Sequence, residues 1–274
     1  GRGMRLVKRE DTIEQAHAHA SAEAAAAFGC GDLYCEELIA DARHVEVQVL
    51  GDGQGDMMHF GERECTLQRQ RQKVVEVAPS PSLDPALRQR IIDAALAMAG
   101  GARYRGLGTF EFLVDRSAPG RFVFIETNPR LQVEHTVTEA VTGLDLVEIQ
   151  LRIAGGASLA EAGLAEVPAP RGSAVQLRVN LETLSADGTL SGGGGGTILR
   201  YEPPSGPGVR VDGYGRGGYA TSPSFDSLIA KLIVHSASGD LAVALAKAER
   251  AAREFVITGV DTNLPLLRAL LERP

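Results

Sequence analysis

Phe110-Glu111-Phe112-Leu113-Val114, the turn Ser117-Ala118-Pro119-Gly120, and Phe122-Val123-Phe124-Ile125-Glu126-Thr127-Asn128 form the stretch whose reading decides the fold. Two runs rich in aromatic and β-branched residues around a Pro-Gly turn predict an antiparallel hairpin with strands over 108–114 and 121–127. Side chains alternate along a strand, so Thr109, Glu111 and Leu113 share one face, and Phe124, Glu126 and Asn128 share one face of the next strand. If the two faces coincide, two carboxylates and an amide project together from an otherwise apolar hairpin. Carboxylates that close repel unless a cation lies between them. Mg²⁺ suits such a place, because it takes one or two carboxylates and completes its shell with phosphates and water. A solvent face carrying Glu111 and Glu126 is the alternative reading of the hairpin alone.

Downstream, Arg130-Leu131-Gln132-Val133-Glu134-His135 sets a guanidinium, an amide and a carboxylate at alternate positions. In extended backbone the three would face one way. Arginine grips planar oxyanions through two parallel hydrogen bonds, and a carboxylate beside it can accept a proton. A solvated charged strand is the alternative.

Working outward, 11–28 predicts an Ala-rich helix capped by Asp11 or Thr12, and 33–39 a short strand or connector. Residues 43–50 alternate, with Val45, Val47 and Val49 on one face; Gly51-Asp52-Gly53 turns, and 57–62 returns as the partner strand. Asp84 before Pro85 opens an amphipathic helix over 84–99. Residues 138–154 predict a helix with an internal Gly143. A strand is expected over 173–180 and another over 228–235, with helices over 240–255 and 264–272. Residues 185–218 read as glycine-rich and irregular. Gly192 to Gly196 suggest a phosphate loop, but no Lys-Ser/Thr and no helix start follow, so a surface connector is expected. Hairpins with flanking helices, rather than regular βαβ alternation, indicate α+β. A boundary near Ala40 divides a small piece, 1–39, from one domain over 40–274. There is no internal repeat.

Apolar residues make up 44% of the 274, enough for a substantial core, and the formal net charge is −7. The basic residues are scattered, which argues against a nucleic-acid surface. No apolar run approaches the roughly 20 residues of a membrane span. Cys30, Cys35 and Cys65 show no metal-ligand spacing, and free thiols in a reducing cytoplasm are expected.

The run Glu126 to His135 closely resembles the signature of biotin carboxylases, which are ATP-grasp ligases. Arg43-His44-Val45-Glu46-Val47-Gln48-Val49, Glu62-Arg63-Glu64-Cys65 through Gln72-Lys73-Val74-Val75-Glu76, and Asp226-Ser227-Leu228-Ile229-Ala230-Lys231 resemble further motifs of that family, in the family's order. Gly1-Arg2-Gly3-Met4-Arg5 looks like the end of the family's glycine-rich lid loop. The resemblance therefore implies a chain without the family's N-terminal third, residues 1–39 being a remnant of the ATP-grasp lid and 40–274 the catalytic C-terminal domain.

The resemblance also implies roles. Glu111, Glu126 and Asn128 correspond to metal positions for Mg²⁺ or Mn²⁺. Lys73, Arg130, Gln132 and Glu134 correspond to the bicarbonate site, with Lys73 and Arg130 holding the anion and Glu134 as general base. Arg178 corresponds to an arginine facing biotin. Glu36 to Ile39 would present backbone groups to the adenine of ATP, Leu113 would pack on its ring, and His44 and Gln68 would meet the ribose. The activity implied is ATP-dependent carboxylation of biotin on a carrier protein or domain, using bicarbonate through carboxyphosphate. A carboxyltransferase would then pass the carboxyl group on, most often to an acyl-CoA. A homodimer in the cytoplasm is compatible with this reading. Three departures stand out: Glu37 where a lysine is common, Arg71 near a frequent histidine, and Ser224-Phe225 in place of two aromatics. The other readings are a different carboxyphosphate-forming ATP-grasp ligase, such as a carbamoyl-phosphate synthetase half, and a folded fragment without catalysis. On its own this chain is expected to be inactive.

Overall fold

The computed structural model describes residues 4–9, 12–185, 189–192 and 195–272. By contacts the chain divides into two compact units, 1–40 and 41–274. The first holds one helix, α1 (Ile13–Phe28), ended by Gly29 in the left-handed conformation. Glycine adopts that conformation without a Cβ penalty. Thr12 stands at the helix N-cap but makes no side-chain cap bond; its hydroxyl donates to Arg9 O instead. Asp11, the other expected cap, lies outside the described residues. Residues 30–39 form no strand and run as a connector.

The second unit is built on β1 (Ala42–Asp52), β2 (Met57–Arg69), β3 (Gln72–Ala78), α2 (Pro85–Gly101), β4 (Arg105–Asp115), β5 (Phe122–Asn128), α3 (His135–Thr142), α4 (Leu146–Ala154), β6 (Ser173–Asn180), β7 (Glu182–Leu184), β8 (Leu190–Gly192), β9 (Arg200–Glu202), β10 (Val209–Gly213), β11 (Leu228–Ser236), α5 (Leu241–Glu254), β12 (Val256–Thr258) and α6 (Leu264–Leu271). Eight strands form one sheet in the order β10-β11-β6-β3-β2-β1-β4-β5, and every neighbouring pair is antiparallel. The architecture is α+β, as expected.

One sheet face is apolar. Val45, Val47 and Val49 of β1 and Phe110, Phe112 and Val114 of β4 pack under Leu87, Ile91 and Ala95 of α2. Val75, Leu177 and Leu232 do the same under Ala244, Ala248 and Ala251 of α5. The α2 helix starts as the sequence predicts: Asp84 accepts a bond from Leu87 N at 2.9 Å, with Pro85 following. The opposite face is covered at one end by α4, through Leu146, Ile149 and Ile153 on Leu50, Phe60 and Leu107. At the other end Val137 and Val141 of α3 cover Ala78, Ala174 and Ile233. Between these apolar ends lies a row of buried polar residues, including Glu46, Arg63, Glu76, Thr109, Glu111 and Gln176.

Three expectations need correction. Residues 138–154 are two helices, because Gly143 takes a left-handed φ of 75° and closes α3, and Asp145 caps α4 afresh. The stretch 185–218 is not wholly irregular: it holds β8, β9 and β10, and β10 is the outer strand of the main sheet. Gly193 and Gly194 of the five-glycine run lie outside the described residues. Finally, Phe124, Glu126 and Asn128 do not share a face. The register slips at Ile125, so Phe124 opposes Phe112 while Glu126 opposes Glu111. A bulge of this kind inserts one residue and reverses the alternation beyond it. Phe124 accordingly packs edge-on to Phe112 on the apolar side, and Glu126 joins Glu111 on the polar side.

Candidate active site

The polar row is assembled by strand pairing and by a second bulge. On β3, counting by two from Glu76 would place Val74, not Lys73, on the polar face. The β2–β3 register pairs Leu67 with Val75 but Gln68 with Lys73. This extra residue turns Lys73 onto the polar face, the re-aiming that bulges perform beside functional sites. The hairpin closes through Gln70 and Arg71, both with positive φ, as a two-residue turn with matching twist requires.

Lys73 Nζ then meets three carboxylates: Glu46 Oε2, Glu111 Oε1 at 3.2 Å and Glu134 Oε1 at 2.6 Å. The other oxygen of Glu134 accepts from Arg178 at 2.9 Å. The Nε of Arg178 donates to Glu76, whose second oxygen accepts from Gln176 at 3.0 Å. The fully buried Arg63 donates to Glu46 at 2.6 Å, to Gln48 at 2.8 Å and to Thr138 at 3.0 Å, and reaches Gln132 at 3.5 Å. Gln132 in turn donates to Glu111 at 2.9 Å. Buried charges are tolerable only when paired in this way. The result is a continuous chain of alternating charge from Arg63 to Glu76.

The charges set one another. Burial alone would raise the Glu46 carboxyl, but Arg63 and Lys73 hold it well below the usual range. Burial would likewise raise Glu111; its bond to His44 and the charge of Lys73 bring it down to about 2. Burial lowers the Lys73 ammonium, yet the surrounding carboxylates raise it overall. His44 behaves similarly: burial works against the proton, and Glu111 Oε2 at 2.8 Å with Glu46 raise it to about 9. Burial pushes Glu76 up to about 7; the Arg178 guanidinium opposes this and Glu134 adds to it.

The structure brings together most of the candidate residues. Glu111 and Glu126 oppose each other on β4 and β5, and Asn128 Nδ2 donates to both, at 2.9 Å and 3.1 Å. The two carboxylates offer the hard oxygens that Mg²⁺ or Mn²⁺ takes, and Asn128 would join them through Oδ1 only with its amide turned over, since Nδ2 now faces both. Donor atoms of His44, Glu46 and Glu111 also lie within 4.8 Å of one another. Gln68 Nε2 lies 3.1 Å from His44 Nδ1, and Leu113 is half-buried on β4 opposite His44. Residues 129–134 are not extended, so Arg130 diverges from Gln132 and Glu134. Its guanidinium is exposed, bonds Asn128 Oδ1 at 3.3 Å and borders an open groove of about 530 Å³ with Arg105, Leu131 and Ile153. Glu36 and Ile39 lie in the first unit, in the connector after α1. Glu46, Arg63 and Glu76 carry no assigned role in the sequence. The signal for Glu46 and Glu76 is their place between Val45 and Val47 and between Val75 and Val77, on a strand face that is buried rather than open to solvent.

Comparison with known proteins now sets the class. Residues 1–162 match the family model described as carbamoyl-phosphate synthase L chain, ATP binding domain, and residues 176–274 match the biotin carboxylase C-terminal domain. The first match ends at 162 and the second begins at 176. The chain is 44% identical over 274 residues to a biotin carboxylase of Nostoc, covering 100% of this chain and 59% of the relative. It is 44% identical to the pyruvate carboxylase of Bacillus subtilis, covering 97% of this chain and 23% of that one. The biotin carboxylase domain dimer of the Hydrogenobacter thermophilus 2-oxoglutarate carboxylase, solved with MgADP, ADP and bicarbonate, superposes with a TM-score of 0.91 at 39% identity, covering 99% of this chain and 58% of that one. The fold and these matches define an ATP-grasp, ATP-binding protein. The chain belongs to the biotin carboxylase family. It spans about three fifths of the Nostoc relative's length.

Proposed function

We propose that this chain carries the bicarbonate and metal chemistry of an ATP-dependent biotin carboxylation, as part of a longer carboxylase. The observation that carries the reading is the position of Glu134, whose two oxygens are held by Lys73 at 2.6 Å and Arg178 at 2.9 Å. A carboxylate there can take a proton between one cation suited to bicarbonate and another suited to a developing oxyanion.

Bicarbonate, held by Lys73, Gln132 and Arg130, would attack the γ-phosphate of ATP to give carboxyphosphate and ADP. Arg130 serves this only by turning from Asn128 toward Lys73. A Mg²⁺ ion held by Glu111, Glu126 and Asn128 would neutralise the phosphate oxygens and align them. Glu134 accepts the bicarbonate proton. Carboxyphosphate then yields CO₂ and phosphate, the released phosphate takes the N1′ proton of biotin, and Arg178 stabilises the ureido oxygen as N1′ attacks CO₂. His44 and Gln68 are assigned to the ribose and Leu113 to the adenine ring; Glu36 and Ile39 are assigned to adenine through their backbone.

Biotin would arrive on a carrier protein or domain, with a carboxyltransferase completing transfer. We take an acyl-CoA as the first acceptor to test and pyruvate as the second, since the Bacillus subtilis pyruvate carboxylase matches at the same 44% identity as the Nostoc biotin carboxylase. A cytoplasmic homodimer is part of the proposal; the described residues contain no helix long and apolar enough to cross a membrane. The domain assignment, a lid remnant over 1–39 and a catalytic domain over 40–274, is also proposed. Because the chain spans only 59% of the Nostoc relative, the 274 residues alone are proposed not to turn over. A carbamoyl-phosphate-forming ligase is the second reading, favoured by the match over 1–162. ATP hydrolysis by the full-length protein, measured with bicarbonate and with or without free biotin, separates them. Stimulation by biotin supports carboxylation, whereas stimulation by ammonia alone supports the second reading.

A further inference from the structure

Lys231 stands in a costly place. On β11 it lies directly opposite Arg178 of β6 and Asp212 of β10. Two cations side by side on one sheet face destabilise it. Its Nζ also sits at the first turn of α3, reaching Val133 O at 3.1 Å and Thr136 Oγ1 at 3.5 Å. A positive charge is unfavourable at that end of a helix. Burial lowers its pKa, and Asp212 at 3.5 Å offsets only part of the cost. A methionine would fill nearly the same space without these penalties, so packing does not account for an ammonium here.

What the ammonium holds does account for it. Residues 129–134 form neither helix nor strand. Glu134 is the N-cap residue of α3 but makes no side-chain cap bond. The local backbone bonds are long: His135 N to Gln132 O and Val137 N to Glu134 O are both 3.3 Å. Three successive residues are instead anchored to cations of the sheet. Gln132 meets Arg63, Val133 meets Lys231 through its carbonyl, and Glu134 meets Lys73 and Arg178.

We infer that Lys231 is a positioning residue, which pins the Val133 carbonyl and the first turn of α3 so that the Glu134 carboxylate stays between Lys73 and Arg178. The inference rests on the proposed role of Glu134 in biotin carboxylation. Lys231 touches no reacting group; it acts through the backbone that carries one.

The test compares wild type, Lys231→Met and Lys231→Arg in the full-length carboxylase, by amide hydrogen exchange, thermal midpoint and biotin-dependent ATP hydrolysis. In Lys231→Met the His135 and Val137 amides exchange at least about tenfold faster, as expected when local opening becomes easier. Its midpoint is unchanged or higher, because the like-charge pair is gone. Its kcat/KM for bicarbonate falls about 10- to 100-fold, the scale of a small misplacement of a reacting group. Lys231→Arg restores most of the rate by supplying a donor to the same carbonyl. Unchanged exchange at His135 and Val137 overturns the inference, and so does a midpoint that drops along with activity, since that marks a merely structural residue. If the wild-type protein shows no biotin-dependent hydrolysis, the functional reading fails, and the exchange result still decides whether Lys231 clamps this segment.

Discussion

Replacing Lys73 by methionine removes an ammonium that touches Glu46, Glu111 and Glu134 while leaving a side chain of similar length. At an effective dielectric near 20, unit charges about 3 Å apart interact by roughly 5 kcal/mol. Three such attractions exceed the several kcal/mol needed to bury the ammonium. Its removal strands buried carboxylates, which costs about 3–5 kcal/mol. The cost depends on pH in a definite direction. With Lys73 present, Glu46 and Glu111 are held below their ordinary values. Without it that depression shrinks, although Arg63 still lowers Glu46 and the His44 bond still lowers Glu111, so the variant lacks stability that wild type has above the unfolded carboxyl values and loses as pH falls through the depressed ones. Urea denaturation of wild type and Lys73→Met at pH 3 and pH 8 reads this directly. The expected destabilisation is about 3–5 kcal/mol at pH 8 and smaller at pH 3 by at least ~1 kcal/mol. A loss below ~1 kcal/mol at pH 8, or an equal loss at both pH values, would refute the claim that Lys73 neutralises the cluster.

Glu126→Gln should weaken Mn²⁺ binding in the presence of nucleotide by about tenfold or more, read by isothermal titration of the full-length protein, because one of two hard oxygen donors becomes a neutral amide. Unchanged affinity removes Glu126 from the metal site. Glu76, raised to about 7 by burial, favours the folded state below the unfolded carboxyl value, and that contribution is lost as pH rises through about 7. Glu76→Gln should therefore flatten the stability profile between pH 5 and pH 8, by at most ~3 kcal/mol; an unaltered slope would show that the Glu76 carboxyl is not the titrating group.

Much of this arrangement is legible in the sequence, and the limits have identifiable causes. Asp84-Pro85, the Val45-Val47-Val49 alternation and the aromatic hairpin around Pro119-Gly120 each carry a local signal that tertiary structure leaves intact. Helical periodicity runs through Gly143, although glycine is also a common helix terminator, and Asp145, three residues before Glu148, is the local cue to a second helix start. The two bulges are less accessible. Nothing around Val74 or Ile125 marks an extra residue, yet each decides which side Lys73 and Glu126 occupy. Alternation likewise cannot tell a solvent face from one covered by α3 and α4. That cover arises from contacts such as Arg63 with Thr138 and Lys231 with Val133, far apart in the chain. Arg63 and Glu76, to which the sequence assigns no role, are fully buried. The divergence of Arg130 from Gln132 has the same origin, since the segment after Pro129 is fixed by the sheet beneath it rather than by its own extended propensity.

The central claim, that Glu134 between Lys73 and Arg178 serves biotin carboxylation, is tested most directly by transfer of label from ¹⁴C-bicarbonate to free biotin in the full-length protein, wild type against Glu134→Gln. The amide keeps the size and some of the hydrogen bonding but cannot accept the proton. The expected result is ATP- and biotin-dependent labelling by wild type, reduced about 100-fold or more in the variant with nucleotide affinity preserved. Labelling at the wild-type rate in Glu134→Gln would contradict the account.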